Sequence, residues 1–458
     1  MPFNFKTTIL SVLLLLVISP FASAQVFSSD NNTPKFNSPY SRIGLGDIAD
    51  QNFGISAAMG GLGASFNSKF AVNIVNPASV GFIDRTVFDV SGFFRYGLLD
   101  TGGGGDRVKT FAGNFQYFSL GFPMKNEVNI ELDNRPPLLY WRMNFALVPF
   151  SNVGYNVEIN SETETDNIVT NFTGKGGTYK MIWTNAVRYK DLSIGVNAGY
   201  MFGNVINERE VFIDGAENVY FNDLVDEISY RGVVWSFGAQ YKYQFKKLND
   251  KKELVNSGKS LTGGVYLDSK SNINTTTSQL YRRRSSAFNP PQGIDTLRAV
   301  IDLENDAVLP GGFGIGVMYE YEDKYRIGID YSASKWSDYE NDVKQERLLD
   351  SWRVAVGGEW VPDIGSYNKY MNKVRYRLGL FYENDPRSDE FAEQLSTFGI
   401  TVGTGMPIVL PRGQTAFFNL GLELGKFGTS NSLDESYIKL NLGFTLNDNL
   451  WFYKRKFN

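Results

Sequence analysis

The residues best suited to do chemistry in this 458-residue chain are its arginines. Arg95, Arg326, Arg353, Arg375 and Arg377 recur on the polar side of segments that alternate polar and apolar residues. A guanidinium matches a carboxylate in plane and spacing, so these residues could hold the acid group of a ligand. They share those faces with Asp89, Asp330, Glu359, Glu383, Glu423 and Lys439. Charges of both signs on one enclosed face also pair with each other and with whatever fills the enclosure. Arg282-Arg283-Arg284 could meet an acidic ligand or acidic lipid, or be plain solvated surface. The chain has no histidine and no cysteine, which removes Ser-His and Cys-His nucleophiles and imidazole or thiolate metal sites. No catalytic residue, metal ligand or cofactor is predicted, and an enzyme is not expected. The glycines at 102–105 precede no P-loop Lys-Ser/Thr pair and read as a flexible loop tip. A net charge of -4 argues against nucleic acid as a partner.

The elements that must position these residues are strands. Aromatics make up 15% of the chain, which favours strands with aromatic girdles over helices. In 192–202, Leu192, Ile194, Val196, Ala198, Tyr200 and Phe202 share one face and Ser193, Gly195, Asn197 and Gly199 the other. In 437–446, Ile438, Leu440, Leu442, Phe444 and Leu446 oppose Lys439, Asn441, Gly443 and Thr445. In 352–360, Trp352, Val354, Val356 and Trp360 oppose Arg353, Gly357 and Glu359. Strict alternation over about ten residues is the lipid-out, lumen-in pattern of a transmembrane barrel. A soluble sandwich also alternates, but its dry core would not accept Gly, Asn and charge without pairing. From residue 85 onward about fourteen such segments follow, an even count that suits a closed single-chain barrel.

The first 24 residues read as a secretory signal peptide. Lys6 is the positive flank, 9–18 the apolar run, and Ala22-Ser23-Ala24 a small-x-small site cleaved before Gln25. Residues 25–84 read as an arm and a hatch lying in the lumen, and 85–458 as the barrel. Within the hatch, 57–79 is rich in Gly, Ala and Ser and does not alternate. Asn76, Pro77 and Ala78 form a fixed bend, since proline sets its own φ and restricts the residue before it.

Short connections such as Tyr189-Lys190-Asp191 and Glu322-Asp323-Lys324 belong to the periplasmic side. Long polar loops are expected outside at 161–177, 207–229, 270–309 and 338–347. In the third strand Pro149 deletes a ladder hydrogen bond, with Phe150, Ser151, Asn152 and Gly154 beside it. This break is either a lateral opening into the bilayer or a bulge near the rim that tunes curvature.

Four stretches carry a family resemblance. They are 58–79, with Asn76-Pro77-Ala78; 148–157, around Pro149; 308–339, with its Leu-Pro entry and Lys-Trp-Ser exit; and 352–363 followed by 374–386. They resemble the FadL/TodX-type outer-membrane transport proteins, in the divergent form common in the Bacteroidota. The resemblance implies a fourteen-stranded all-β barrel in the outer membrane, plugged by the N-terminal hatch. It implies passive uptake of hydrophobic small molecules such as long-chain fatty acids, through the hatch and out sideways at strand 3. It would set Asn76, Pro77 and Ala78 opposite Pro149 and Gly154. Expected partners are outer-membrane lipid and a hydrophobic ligand. The alternative is a non-transporting partner barrel in an envelope complex for protein secretion or assembly. Uptake predicts an apolar pocket above the hatch and a hole beside Pro149. Docking predicts a continuous wall and a lumen filled by charge.

Overall fold

In the computed structural model each alternating segment is a strand, and its two faces part between lumen and exterior. The structure describes residues 38–100, 107–134, 137–162, 167–213, 220–248, 254–285, 292–389, 391–410, 414–429 and 434–449. The expected signal peptide, with cleavage between Ala24 and Gln25, and the glycines at 102–105 lie outside these residues.

The strands are β1 Asp47–Ile48, β2 Thr86–Asp100, β3 Val108–Pro123, β4 Tyr140–Glu162, β5 Asn167–Tyr189 and β6 Leu192–Ile213. Then come β7 Tyr220–Leu248, β8 Leu254–Asp268, β9 Ser271–Ser285, β10 Gln292–Leu309, β11 Gly312–Tyr321 and β12 Tyr325–Ser334. The series ends with β13 Glu340–Asn341, β14 Ser351–Trp360, β15 Arg375–Ser388, β16 Gln394–Val409, β17 Thr415–Gly428 and β18 Asp434–Asp448. Fourteen of them close a ring. It runs from β2 to β8, passes to β11 and β12, continues from β14 to β18, and returns to β2 through antiparallel pairs such as Lys439 with Arg95. Closure leaves no sheet edge in the bilayer, where an unpaired backbone group would be costly. No helix of the described residues is long and apolar enough to cross a membrane; the crossing is made by strands.

The predicted faces hold. Leu192, Ile194, Tyr200 and Phe202 are exposed, while Ser193 and Asn197 are buried. Val356, Trp360, Leu422 and Ile438 face out, and Glu359, Glu423 and Lys439 face in. Three of the four predicted outer loops do not hold as loops; 338–347 does, apart from the two residues of β13. Residues 270–309 are largely the hairpin β9–β10, which carries the wall upward from β8 and β11. The upper half of β7 pairs with β9 and its lower half with β8. Likewise most of 207–229 lies in β6 and β7. Outside the bilayer a strand needs backbone pairing but no lipid face, so its side chains need not alternate and periodicity does not report it.

Residues 49–84 wind through the ring and are mostly buried. Wall residues hold them from many sides. Asp330 on β12 accepts from the Gly63 amide at 2.6 Å and the Ala64 amide at 2.7 Å. Thr401 on β16 accepts from the Gly60 amide at 2.9 Å, and Tyr117 on β3 from the Gly54 amide at 2.8 Å. Inward glycines let the inner backbone press against the wall: a Cβ on Gly379 would lie 2.1 Å from the Gly60 nitrogen, and one on Gly357 2.3 Å from the Met59 oxygen.

Removing the Asp330 carboxylate leaves two buried amides without an acceptor. Each hydrogen bond to a charged group contributes about 1.5–3 kcal/mol, so Asp330→Ala is expected to speed amide exchange at 63 and 64 by roughly 10- to 100-fold. Exchange in the ring strands should be unchanged. Hydrogen–deuterium exchange of the detergent-solubilised protein reads both, and unaltered exchange at 63 and 64 would show that other contacts hold this segment.

Candidate functional site

The wall is interrupted between β3 and β4. Among the described residues these strands pair only from Phe118 with Leu147 down to Pro123 with Arg142. Above that level β3 pairs with β2 and β4 with β5, and not with each other. Local chemistry explains the parting. Pro149 has no amide to give to a ladder. The β4–β5 register shifts between Pro149 and Ser151, which leaves Phe150 as an extra residue. The β2–β3 register shifts between Ser91 and Gly92, opposite Tyr117 and Phe115, which leaves Gln116 extra on the other side of the gap. Both extra side chains are buried, and Lys180 stacks on the Phe150 ring at 3.6 Å.

The chain covers this gap with its own residues 38–51. Asp47 and Ile48 of β1 pair with Asn152 and Ser151. The Ala49 amide donates to the Phe150 carbonyl at 2.9 Å, and the Ser38 amide to the Gly154 carbonyl at 2.8 Å. Gly154 in turn donates to the Ser41 hydroxyl at 3.1 Å. Gly46 sits at φ +100, and a Cβ there would lie 2.5 Å from the Asn152 carbonyl oxygen. Across the gap Asn114 Nδ2 donates to Asn152 Oδ1 at 3.0 Å. Pro149, Phe150, Ser151, Asn152 and Gly154 therefore stand together at the break, facing the arm.

Asn76, Pro77 and Ala78 do not face it. Asn76 Nδ2 donates to the Val265 carbonyl on β8 at 3.2 Å and to Ala64 at 2.6 Å. Its Oδ1 accepts from the Ala78 amide at 3.0 Å, and Ser193 on β6 donates to the Ala78 carbonyl at 2.6 Å. A Cβ on Gly195 or Gly238 would collide with Pro77 or Asn76. The bend is seated on β6, β7 and β8, where small wall residues give it room. Sequence reading missed the segment that does reach the gap; its signal was the turn-rich run around Ser41, Gly44 and Gly46.

Ion pairs fill the lumen beneath the gap. Arg387 bonds Asp47 of the arm and grips Asp385 through two bonds of 2.7 Å. Asp50 lies 2.5 Å from Lys439 and 3.6 Å from Arg353. Burial disfavours the Asp50 carboxylate, but Lys439 and then Arg353 outweigh it and hold the group below its ordinary range. Arg353 also pairs with Glu383 at 2.5 Å, and Arg95 with Glu435 at 2.7 Å. Nearer the periplasm Glu359 takes Arg375 and Arg377 at 2.8 Å each and Arg326 at 3.3 Å. The arginines that could have held a ligand carboxylate are thus occupied by the protein's own carboxylates.

Several cavities remain among the described residues, and two of them bear on passage through the lumen. One of about 290 Å³ lies on the outer side, lined by Phe150, Trp235, Trp336 and Trp352 but also by Lys180 and Arg353. One of about 340 Å³ lies at the periplasmic end, lined by Phe70 and Phe417 together with Lys69, Glu320, Arg326 and Arg375. Neither is wholly apolar. Truncating Arg387 would leave Asp47 and Asp385 side by side without their cation, at a cost of roughly 3 kcal/mol for a broken buried pair. Arg387→Ala is expected to abolish exchange protection at 47–49 while the β18–β2 pairing keeps its own, as read by hydrogen–deuterium exchange. Retained protection at 47–49 would show that this pair does not anchor the arm.

Comparison with solved structures finds the same fold elsewhere. A CymD monoaromatic hydrocarbon channel matches with a TM-score of 0.51 at 12% identity, over 88% of this chain and 98% of that one. A Pseudomonas aeruginosa FadL homologue matches with a TM-score of 0.51 at 10% identity, over 87% of this chain and 98% of that one. Identities this low establish the fold alone, and the expected likeness to the FadL/TodX type holds at that level. No curated protein matches the sequence. The family model that matches is a different one, BamG, over residues 6–458. The chain belongs to the BamG family.

Proposed function

We propose that this chain is a closed partner barrel in an outer-membrane complex for protein secretion or assembly, working through its raised outer wall and its periplasmic end. The observation that carries this reading is the sealed break: the one interruption in the ring among the described residues is occupied by residues 38–51 of the same chain. A molecule leaving there would have to unseat the Asp47–Arg387 pair and the backbone bonds to β4. A molecule passing straight through would have to part Asp50 from Lys439 and Glu359 from its three arginines, all of them paired charges and most of them buried. Membership of a family distinct from that of the channels it resembles supports the same reading.

A second reading rests on the break itself. Displacing residues 38–51 would open a lateral path from the outer cavity between β3 and β4. Such a path suits a hydrophobic small molecule, with a long-chain fatty acid as the example, because it avoids the charged lumen. In this reading the barrel takes up its ligand passively, and the bend at Asn76, Pro77 and Ala78 holds the hatch against the wall.

Purification in native membrane extracts, with mass spectrometry of both protein and lipid, separates the two. The expected result is a stoichiometric protein partner and no bound fatty acid. Vesicles containing the purified chain should take up oleate no faster than empty ones. Stoichiometric bound lipid without a partner, together with oleate uptake that stops when Asp47 and Asn152 are replaced by a cysteine pair and locked, would overturn the partner reading in favour of uptake.

A further inference from the structure

The periplasmic cavity of about 340 Å³ holds more cation than the acids around it match. In its deeper part four cations, Lys242, Arg326, Arg375 and Arg377, share the lining with two carboxylates, Glu320 and Glu359. Lys242 and Arg326 share Glu320, and the three arginines share Glu359. Every cation has an acid beside it, yet two positive charges are left over. The mouth does not supply the difference. There Lys69 and Lys259 stand with Glu322 and Asp323, and Glu322 also pairs with Lys324. Asp89 lies behind Thr445 and accepts from its hydroxyl at 3.1 Å rather than from an arginine; counted in, it would still leave one cation over. Arg377 is 3% exposed. Its Nε donates to Glu359 and its Nη1 to Asn419, each at 2.8 Å, while Nη2 is buried without a protein partner. Water can satisfy that group but cannot offset the charge, and an unmatched buried charge is costly. On one side the cavity is apolar: Phe70 and Phe417 meet at 6.1 Å between ring centroids, with Arg375 over Phe417 at 5.6 Å. Beside the mouth β7 and β8 run on as a hairpin past Tyr241 and Lys259, where their pairing with β6 and β11 ends. The charged residues described in this extension are Lys242, Lys246 and Lys247, with no acid; in the sequence between its strands Asp250 and Glu253 cancel Lys251 and Lys252.

We infer that this cavity receives an acidic segment of a periplasmic partner protein, with an Asp or Glu carboxylate toward Arg375 and Arg377 and its aliphatic stem against Phe70 and Phe417. The inference deepens the partner-barrel reading and rests on it. A carboxylate supplies the missing negative charge and accepts the N–H that Arg377 has left. Lipid does not reach the site. Lys242, Arg326 and Glu359 point into the lumen, and their chain neighbours Tyr241, Tyr325 and Trp360 are the exposed residues on the bilayer face. A free phosphate would supply charge but would leave both rings uncovered in a space far larger than itself. A peptide uses charge, rings and the basic hairpin at the mouth together.

The test is binding of a peptide of alternating Glu and Gly, labelled with an uncharged dye, to the purified full chain in neutral detergent, read by fluorescence anisotropy. The peptide should bind roughly tenfold or more tighter than its Gln counterpart, and more weakly as salt rises. Arg377→Gln, and separately Lys69→Glu at the exposed mouth, should each weaken it by roughly tenfold. A heat-dependent gel shift like that of the parent chain verifies that each variant's barrel is folded. In cells, benzoylphenylalanine in place of Phe70 should capture the protein of the natively purified complex through a peptide carrying Asp or Glu, and in place of Ile438 on the lipid face should not. Equal binding of the two peptides, binding that neither folded variant weakens, or no adduct from position 70 overturns this site and leaves the partner-barrel reading standing. Displacement of the peptide by an equimolar amount of inorganic phosphate overturns it in favour of a free anion. Absence of any protein partner from native membrane extracts overturns both.

Discussion

A ring filled by its own chain must satisfy every polar group that the filling takes out of water, because neither lipid nor protein will do so by default. Much of the interior follows from that requirement. The inner segment cannot form a sheet with the wall, so its amides turn to wall side chains: Asp330 serves Gly63 and Ala64, Thr401 serves Gly60, and Tyr117 serves Gly54. Those contacts need the two backbones close, hence the small residues at Gly195, Gly238, Gly357 and Gly379. The charges follow the same rule, met by opposite partners at Glu359 and Lys439 and by neutral donors at Asp330 and Asp89. Arg377 Nη2 is an exception without a protein partner. It belongs to a residue lining the periplasmic cavity, whose size of about 340 Å³ leaves ample room for water to serve it.

The break in the wall obeys the requirement by another route. Parting β3 from β4 exposes carbonyls and amides on β4 that a barrel would normally pair. Residues 38–49 pair several of them in place of β3, through Asp47, Ile48, Ala49 and Ser38. The cover is held from behind by Arg387, and the contact of Asn114 with Asn152 ties the two sides of the gap to each other. A gap whose edge is satisfied by a short, separately anchored segment differs from a bulged but continuous wall. It also differs from an open hole. The covering segment is bound by few ladder bonds, so its removal would cost far less than separating two full strands.

Most of the ring was legible because lipid imposes a strict period of two: in 192–202 and 437–446 the faces fell where alternation put them. The break was legible as a local defect, since Pro149 is wrong for a central strand whatever surrounds it. Its cover was not. What carries residues 38–51 to β4 is long-range backbone pairing; the turn-rich run around Ser41, Gly44 and Gly46 marks where the arm bends but not the strand it reaches. The bend at Asn76, Pro77 and Ala78 was legible as rigid but not as to its seat, because its neighbours Gly195 and Gly238 lie far along the chain. The raised wall was misread as loops for a related reason. Above the bilayer polar residues serve a strand as well as a turn, and 270–309 carries no alternation to betray the hairpin.

The raised wall leaves two strand edges in water, and the chain treats them differently. The upper edge of β4 begins where the arm covers it, so its lowest unpaired groups are sealed in cis. Among the described residues the edge of β10 over 293–305 is left uncovered and is broken by three bulges. Bulges alone would defend an edge against chance pairing, and acidic side chains would strengthen the defence. Neither purpose calls for aliphatic residues at the bulged positions; Ser, Asn or Lys there would defend better and cost nothing in water. Ile294, Leu297 and Ile301 are therefore poor choices for an edge meant only to repel.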